Sequence, residues 1–282
     1  MTKNLRVKSS EYIDETNRIS FKFNGKTYHG FKGDTLASAL LANDVHLVGR
    51  SFKYHRPRGI MTSGSEEPNA IVQVNPGTNR TEPNVRATEV EIYEGLEASS
   101  QNCWPSVEFD IGGINNFLSP FFPAGFYYKT FMWPASFWEK YEFFIRHSAG
   151  LGKSPTSSDP DIYDHRNIHC DVLVVGAGIS GILAAKNAAK NNFKTLLVDE
   201  KNELGGSTIF ENNEFNKIDN KTPSEWLKKE IEELKNIKNL EIKTRTSVAA
   251  YHQYNYLLAR ENLTDHLEAK NKTNKILSLI HI

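Results

Sequence analysis

The chain has only two cysteines, Cys103 and Cys170, and no C-x-x-C pair. That scarcity excludes a disulfide framework and a zinc site built from cysteine. It has no surplus of charge either: 34 basic residues balance 34 acidic ones, so no bulk field draws it to nucleic acid or an anionic membrane. Long apolar runs are missing too. No window approaches the roughly 18 uncharged apolar residues of a membrane span, and the opening MTKNLRVKSS lacks the apolar core of a secretory leader. The expectation is a soluble, cytoplasmic chain with no membrane and no nucleic-acid partner. Its 282 residues leave room for two domains and part of a third, at about 100–200 residues each.

What the chain does hold falls into three stretches. In residues 1–100, ISFKFNGKTYHGF alternates apolar and polar residues around Asn24-Gly25, a hairpin signal. GDTLASALLAND follows, with Asp34 or Thr35 placed to cap a short helix burying Leu36, Ala37, Ala39, Leu40 and Leu41. After the basic and aromatic run RSFKYHRPRGIMTSGSEEPN, strands are predicted at AIVQV and near RATEVEIYEG. Hairpin, helix, loop and returning strands are the order of a β-grasp sheet, so the fold class begins as α+β. Residues 101–168 are aromatic, broken by proline and glycine, as in FLSPFFPAGFYYKTFMWPASFWEKYEFFIR. They read as a linker segment whose rings pack on neighbouring domains, ending in the junction KSPTSSDPD.

From Cys170 the class changes to α/β. CDVLVVG reads as a buried strand, AGISGILAAKNAAKNN as a glycine-opened helix and FKTLLVDE as a second buried strand, a βαβ unit. Gly176, Gly178 and Gly181 form G-x-G-x-x-G at the turn. The first permits the tight turn, the second lets backbone approach a pyrophosphate, and the third lets helix pack on strand. Ala177 and Ile179 lie between them, and the N–H groups at the helix start face the phosphate charge. Asp199 and Glu200 close the second strand, where an acid accepts from a ribose hydroxyl and disfavours the extra phosphate of NADP. Asp199 has the favoured register, with Glu200 as the alternative. Gly205 and Gly206 place a second backbone segment near the cofactor. The motif by itself leaves NAD and FAD both open. TPSEWLKKEIEELKN is predicted as an amphipathic helix with Thr222 and Glu225 as capping box and Pro223 at its first position. LEIKTRT reads as a strand, and the remainder shows no decisive period. Residues 169–276 are therefore read as a partial Rossmann-type FAD/NAD(P)-binding domain.

Taken in order, GRSFKYHRPRGI, GSEEPNAIVQV, PAGFYYKTFMWP, FWEKYE, AGLG and CDVLVVGAGISG resemble the α subunits of heterotetrameric sarcosine oxidases. The resemblance implies a ferredoxin-like N-terminal domain, a dinucleotide-binding region holding NAD and, beyond this chain, a domain for tetrahydrofolate. It implies β, γ and δ partner subunits, with FAD and FMN on or shared with those partners. The implied reaction is oxidative demethylation of sarcosine to glycine, with peroxide and methylenetetrahydrofolate formed by the whole complex. Only the NAD positions Gly176, Gly178, Gly181 and Asp199 or Glu200 carry over onto this chain, and no catalytic residue does.

The flanks of the basic loop also resemble the cluster loop of related oxidases and dehydrogenases. Aligned on PRG, the cluster cysteine positions fall on Thr62, Glu67, Ala70 and about Thr88. None supplies the thiolate that a [2Fe-2S] cluster needs, so the expectation is a ferredoxin-like fold with no iron-sulfur cluster. Two readings stand beside the oxidase subunit: a component of a related FAD-dependent amine or amino-acid dehydrogenase, and a non-catalytic assembly module. Arg50, Lys53, His55, Arg56 and Arg58 are read as meeting Glu66 and Glu67 or a partner subunit, not single-stranded nucleic acid. His165, His169 and Cys170 lack a fourth ligand, so no metal is assigned. Residues 277–282, LSLIHI, are read as a truncation scar outside the fold.

Overall fold

The computed structural model describes residues 5–6, 12–121, 125, 131, 133–148, 150–211, 216–267 and 274–282. The chain divides into two compact units, Met1–Pro160 with His266–Asn271 and Asp161–Asp265 with Lys272–Ile282. No helix among the described residues is long and apolar enough to cross a membrane.

The first unit opens with the predicted hairpin, β1 (Asp14–Phe23) and β2 (Lys26–Lys32). Asn24 and Gly25 both take positive φ, 50° and 76°, which a two-residue hairpin turn demands. Helix α1 (Leu36–Ala42) follows, with Thr35 and Ser38 forming a capping box. The two expected caps have different roles. Thr35 caps the helix, while buried Asp34 accepts the Phe31 N–H and the Ser38 hydroxyl and pairs with Arg6. The two-residue strands β3 (Gly49–Arg50) and β4 (Pro57–Arg58) pair with each other. Then come β5 (Ile71–Val74), β6 (Glu82–Arg86) and β7 (Glu97–Ser100). The sheet order is β2-β1-β7-β5-β6, with β1 and β7 parallel. Phe21, Phe23, Val72 and Leu96 meet Leu36 and Leu40 of α1 in one apolar core.

The strand predicted near RATEVEIYEG is displaced. Pairing ends at Arg86 and resumes at Glu97, because the intervening backbone is spent on the start of α1. Leu36 N–H donates to the Val90 carbonyl and Ala37 N–H to the Ala87 carbonyl. The aromatic stretch forms short helical pieces, among them α2 (Ile114–Phe117) and α3 (Trp138–Ser148). Much of PAGFYYKTFMWP lies outside the described residues. Where the stretch is described, Trp104, Phe109, Phe117, Phe121, Trp133 and Phe144 are exposed. Arg50, His55 and Arg56 of the basic run turn to this stretch, while the Glu67 carboxylate takes backbone N–H groups of its own loop. Arg50 donates to the Val107 and Glu108 carbonyls, His55 bonds Asp110 at 2.6 Å, and Arg56 reaches Asn116.

In the second unit β8 (Ile162–His169) precedes the βαβ unit of β9 (Val172–Val175), α4 (Ile179–Lys190) and β10 (Thr195–Val198). Helix α5 (Pro223–Lys235) carries the predicted Thr222/Glu225 capping box, and β11 (Leu240–Lys243) completes a parallel sheet of order β11-β10-β9. Strand β10 is buried on both faces, as a central parallel strand should be. Leu197 packs with Ile182, Trp226 and Leu227 beneath the helices, while Leu196 and Val198 pack on the other side with Leu257, Ala259 and Ile280. That second face is covered by β12 (Thr246–His252), β13 (Tyr256–Asn262) and β14 (Asn274–His281), which with β8 form a sheet of order β12-β13-β14-β8. The tail LSLIHI, expected to lie outside the fold, is therefore part of it. Its residues pair with both β13 and β8, and Ile280 is buried against β10.

Candidate functional site

The glycine turn between β9 and α4 has the geometry that a diphosphate requires. Gly176 takes φ +94°, a region that side chains other than glycine rarely enter. Gly178 is the N-cap of α4 and offers no side-chain bond to the helix, so the first N–H groups of α4 have no side-chain cap. A Cβ added at Gly176 or Gly178 would meet nothing within 4 Å, whereas at Gly181 it would lie 1.9 Å from the Gly176 carbonyl oxygen. Two glycines thus border open space, and the third allows the helix to sit on the turn.

A second segment closes on this turn. Gly205 N–H donates to the Ala177 carbonyl at 2.8 Å, and a Cβ on Gly206 would stand 3.1 Å from the Gly178 Cα. Both glycines have positive φ, and at Gly205 a side chain would strike Leu227 of α5. Ala177 is buried in the helix-side core and Ile179 packs against it, so both can offer only backbone to a ligand. Beyond the second glycine pair, the Thr208 hydroxyl is buried with no hydrogen-bond partner among the described residues.

The two acids at the end of β10 have separate places. Asp199 is buried; one carboxylate oxygen accepts the Ala177 N–H at 2.6 Å and the other the Lys201 N–H at 2.8 Å. Each oxygen thus accepts one backbone N–H around the glycine turn, at the position that the sequence favours for a ribose partner. Glu200 is exposed one residue further on. Further along α4, Lys186 pairs with Glu230 and Glu233 of α5. Burial alone would lower the Lys186 pKa, but the two carboxylates outweigh it and raise it. The sequence carried a signal for this pair: Glu230 falls on the stripe of Trp226, Leu227, Ile231 and Leu234, where a lone charge requires a partner.

Open space at two glycines, an uncapped helix start and a second backbone wall together fit the phosphates of a dinucleotide. Among the described residues no three His, Cys, Asp or Glu side chains group to hold a metal. At the other expected site, Thr62, Glu67, Ala70 and Thr88 are brought into one loop region, with Glu67, Ala70 and Thr88 buried.

Residues 16–103 match the family model described as a 2Fe-2S iron-sulfur cluster binding domain, and residues 171–270 match the one described as FAD dependent oxidoreductase. A ferredoxin-like domain thus precedes an FAD-oxidoreductase-like domain along the chain. Its relatives are more particular. It is 49% identical over 93% of its length to sarcosine oxidase subunit alpha of Rhizobium meliloti (strain 1021), and 31% identical over 91% to that of Corynebacterium sp. (strain U-96). The chain is homologous to these α subunits and spans about a quarter of their length, 26% and 22% respectively. The solved L-proline dehydrogenase from P. horikoshii superposes on 94% of this chain and 39% of its own, with a TM-score of 0.53 at 17% identity, a likeness of fold alone.

Proposed function

We propose that this chain is the N-terminal part of the α subunit of a heterotetrameric sarcosine oxidase, and that its own role is to hold NAD and to dock partner subunits. The observation that carries the reading is the glycine cradle of Gly176, Gly178, Gly205 and Gly206, found in a chain 49% identical to a sarcosine oxidase α subunit. In this reading the diphosphate lies on the N–H groups at the start of α4, Glu200 accepts from a ribose hydroxyl, and Asp199 holds the turn. The cofactor would supply redox or purely structural binding; this chain's residues orient it and exclude water. Oxidation of sarcosine belongs to FAD on the β partner, with FMN on or shared with the partner subunits, folate chemistry to a C-terminal domain, and no catalytic residue to this chain. The N-terminal domain holds no cluster, because none of Thr62, Glu67, Ala70 and Thr88 is a thiolate. The exposed rings of the aromatic stretch, Trp104, Phe109, Phe117, Phe121, Trp133 and Phe144, are assigned to docking, since exposed apolar surface marks interaction sites.

A second reading, FAD in the same cradle, is favoured by the match of residues 171–270 to an FAD dependent oxidoreductase. Thermal unfolding with each dinucleotide separates the two, because a ligand bound only by the folded state raises Tm with its logarithmic concentration. The expected outcome is a saturable shift with NAD. A shift with FAD alone would transfer the cradle to flavin, and no shift with either would leave an assembly module.

A further inference from the structure

Glu67 is 1% exposed, and its carboxylate gathers backbone from both arms of its loop. One oxygen accepts the N–H of Met61 at 2.8 Å and of Thr62 at 2.7 Å, with the Thr62 hydroxyl at 3.2 Å. The other accepts the N–H of Asn69 at 2.8 Å and of Ala70 at 3.1 Å. Four N–H groups converging on one point make an anion nest, and charge-assisted bonds of this kind are the strong ones. The rest of the loop is closed around it. The Thr88 hydroxyl donates to the Gly64 carbonyl and Arg86 donates to the Glu67 carbonyl; Ala87 N–H donates to the Ala70 carbonyl.

The position of this acid is telling. The family model that covers residues 16–103 describes cluster binding, and an iron-sulfur group held by thiolates is itself an anion that accepts hydrogen bonds at sulfur. Thr62 and Ala70, two of the four ligand positions, give their N–H groups to the carboxylate standing at the third. We propose that Glu67 supplies the anion of this loop from the chain itself, in place of a cluster, so that the domain is a rigid scaffold braced by a buried carboxylate. This rests on the cluster-free reading and goes beyond it, for it states what fills the site and what the filling does.

The donors are divided two to each oxygen, and that division makes the test sharp. Glu67→Gln keeps the shape but turns an NH2 group onto one pair of N–H donors, whichever way it lies. Glu67→Ala leaves the nest empty and large enough for a small carboxylate. Thermal unfolding of the 282-residue chain is compared for wild type and both variants, with sodium formate against sodium chloride at equal ionic strength. Each variant is expected to lose about 10 °C, and formate to restore part of that loss saturably in Glu67→Ala while leaving wild type unmoved. A Tm within about 1 °C of wild type, or a loss that formate does not touch, would overturn the proposal.

Should neither variant fold, the wild type answers by carboxyl NMR titration. Burial raises the Glu67 carboxyl, but the four backbone bonds together outweigh it and hold it below its ordinary range. The charged groups beside it are Arg86, its partner Glu89 and exposed Glu66. A midpoint below the ordinary range of a glutamate supports the nest, and one within or above that range overturns it. Iron analysis after anaerobic incubation with ferrous iron and sulfide tests the underlying reading separately. Stoichiometric retained iron overturns the cluster-free reading whatever Tm does. An iron-free chain with unchanged Tm overturns only the carboxylate brace.

Discussion

Gly178 and Gly181 stand three residues apart in one motif, and the structure gives them opposite duties that alanine can separate. At Gly181 a Cβ would lie 1.9 Å from the Gly176 carbonyl oxygen, where real Cβ contacts are not found below 3.0 Å. The first turn of α4 would have to retreat by about 1.1 Å, and overpacking of this kind costs about 1–3 kcal/mol. Alanine within a helix returns up to about 1 kcal/mol of propensity, so the net loss expected for Gly181→Ala is about 1–2 kcal/mol. That corresponds to a fall in Tm of about 5–10 °C, and the displaced turn should lose dinucleotide as well. At Gly178 a Cβ meets nothing within 4 Å, and φ is an ordinary −69°. Gly178→Ala should therefore cost less than about 1 kcal/mol, the ordinary penalty of alanine at an N-cap, yet obstruct the diphosphate and weaken binding at least about 10-fold. Calorimetric unfolding of the free chain, followed by titration with NAD and FAD, reads both quantities. Equal loss of stability in the two variants, or undiminished binding by Gly178→Ala, would refute the assignment of open cradle to one glycine and helix contact to the other.

The acids at the end of β10 should part in the same way. Asp199→Asn must present an amide NH2 to either Ala177 or Lys201, costing about 1–3 kcal/mol in urea unfolding; Glu200→Gln should leave stability unchanged and weaken dinucleotide binding about 10-fold. The reverse pattern would return the ribose to Asp199. Lys186→Met leaves buried Glu230 facing no cation and should cost about 3 kcal/mol, much of it regained when Glu230→Gln is added. Because the Lys186 pKa is raised on folding from its ordinary 10.5, its contribution is complete below that value and is lost as pH climbs through the folded one. The urea midpoint of wild type should therefore decline more steeply than that of the double variant in strongly alkaline buffer, and parallel declines would count against the pair.

Where the signal was local, the sequence was readable. Asn24-Gly25, the Thr222/Glu225 capping box and the Gly176-x-Gly178-x-x-Gly181 turn each have one cheap backbone solution, and the structure contains all three. The choice between Asp199 and Glu200 was not local. Alternation along β10 sends one acid inward and the next to the surface, but which one turns inward depends on where Ala177 N–H stands, and that is set by the fold. The β12–β13 hairpin was hidden because its turn places Tyr254 and Asn255 at positive φ without any glycine. The stretch 87–95 has strand-like residues, yet its carbonyls serve helix α1. Glu67 stood out in the sequence only as a non-thiolate at a cluster position, since nothing in composition marks a carboxylate that will gather four backbone N–H groups.

The pairing of β14 with β8 has a consequence in time. Ile162 lies opposite Asn274 and His169 opposite His281, so each partner is made 112 residues after the other. Contacts that distant in the chain slow folding, because loop closure must precede their reward. While the ribosome works through the glycine turn, α4 and α5, strand β8 waits with an unpaired edge, and the outward face of β10 stays open until Leu257, Ala259 and Ile280 arrive. A nascent chain in this interval exposes an edge strand and an apolar sheet face together. Chaperone capture should accordingly be concentrated on chains longer than the βαβ unit but shorter than β14.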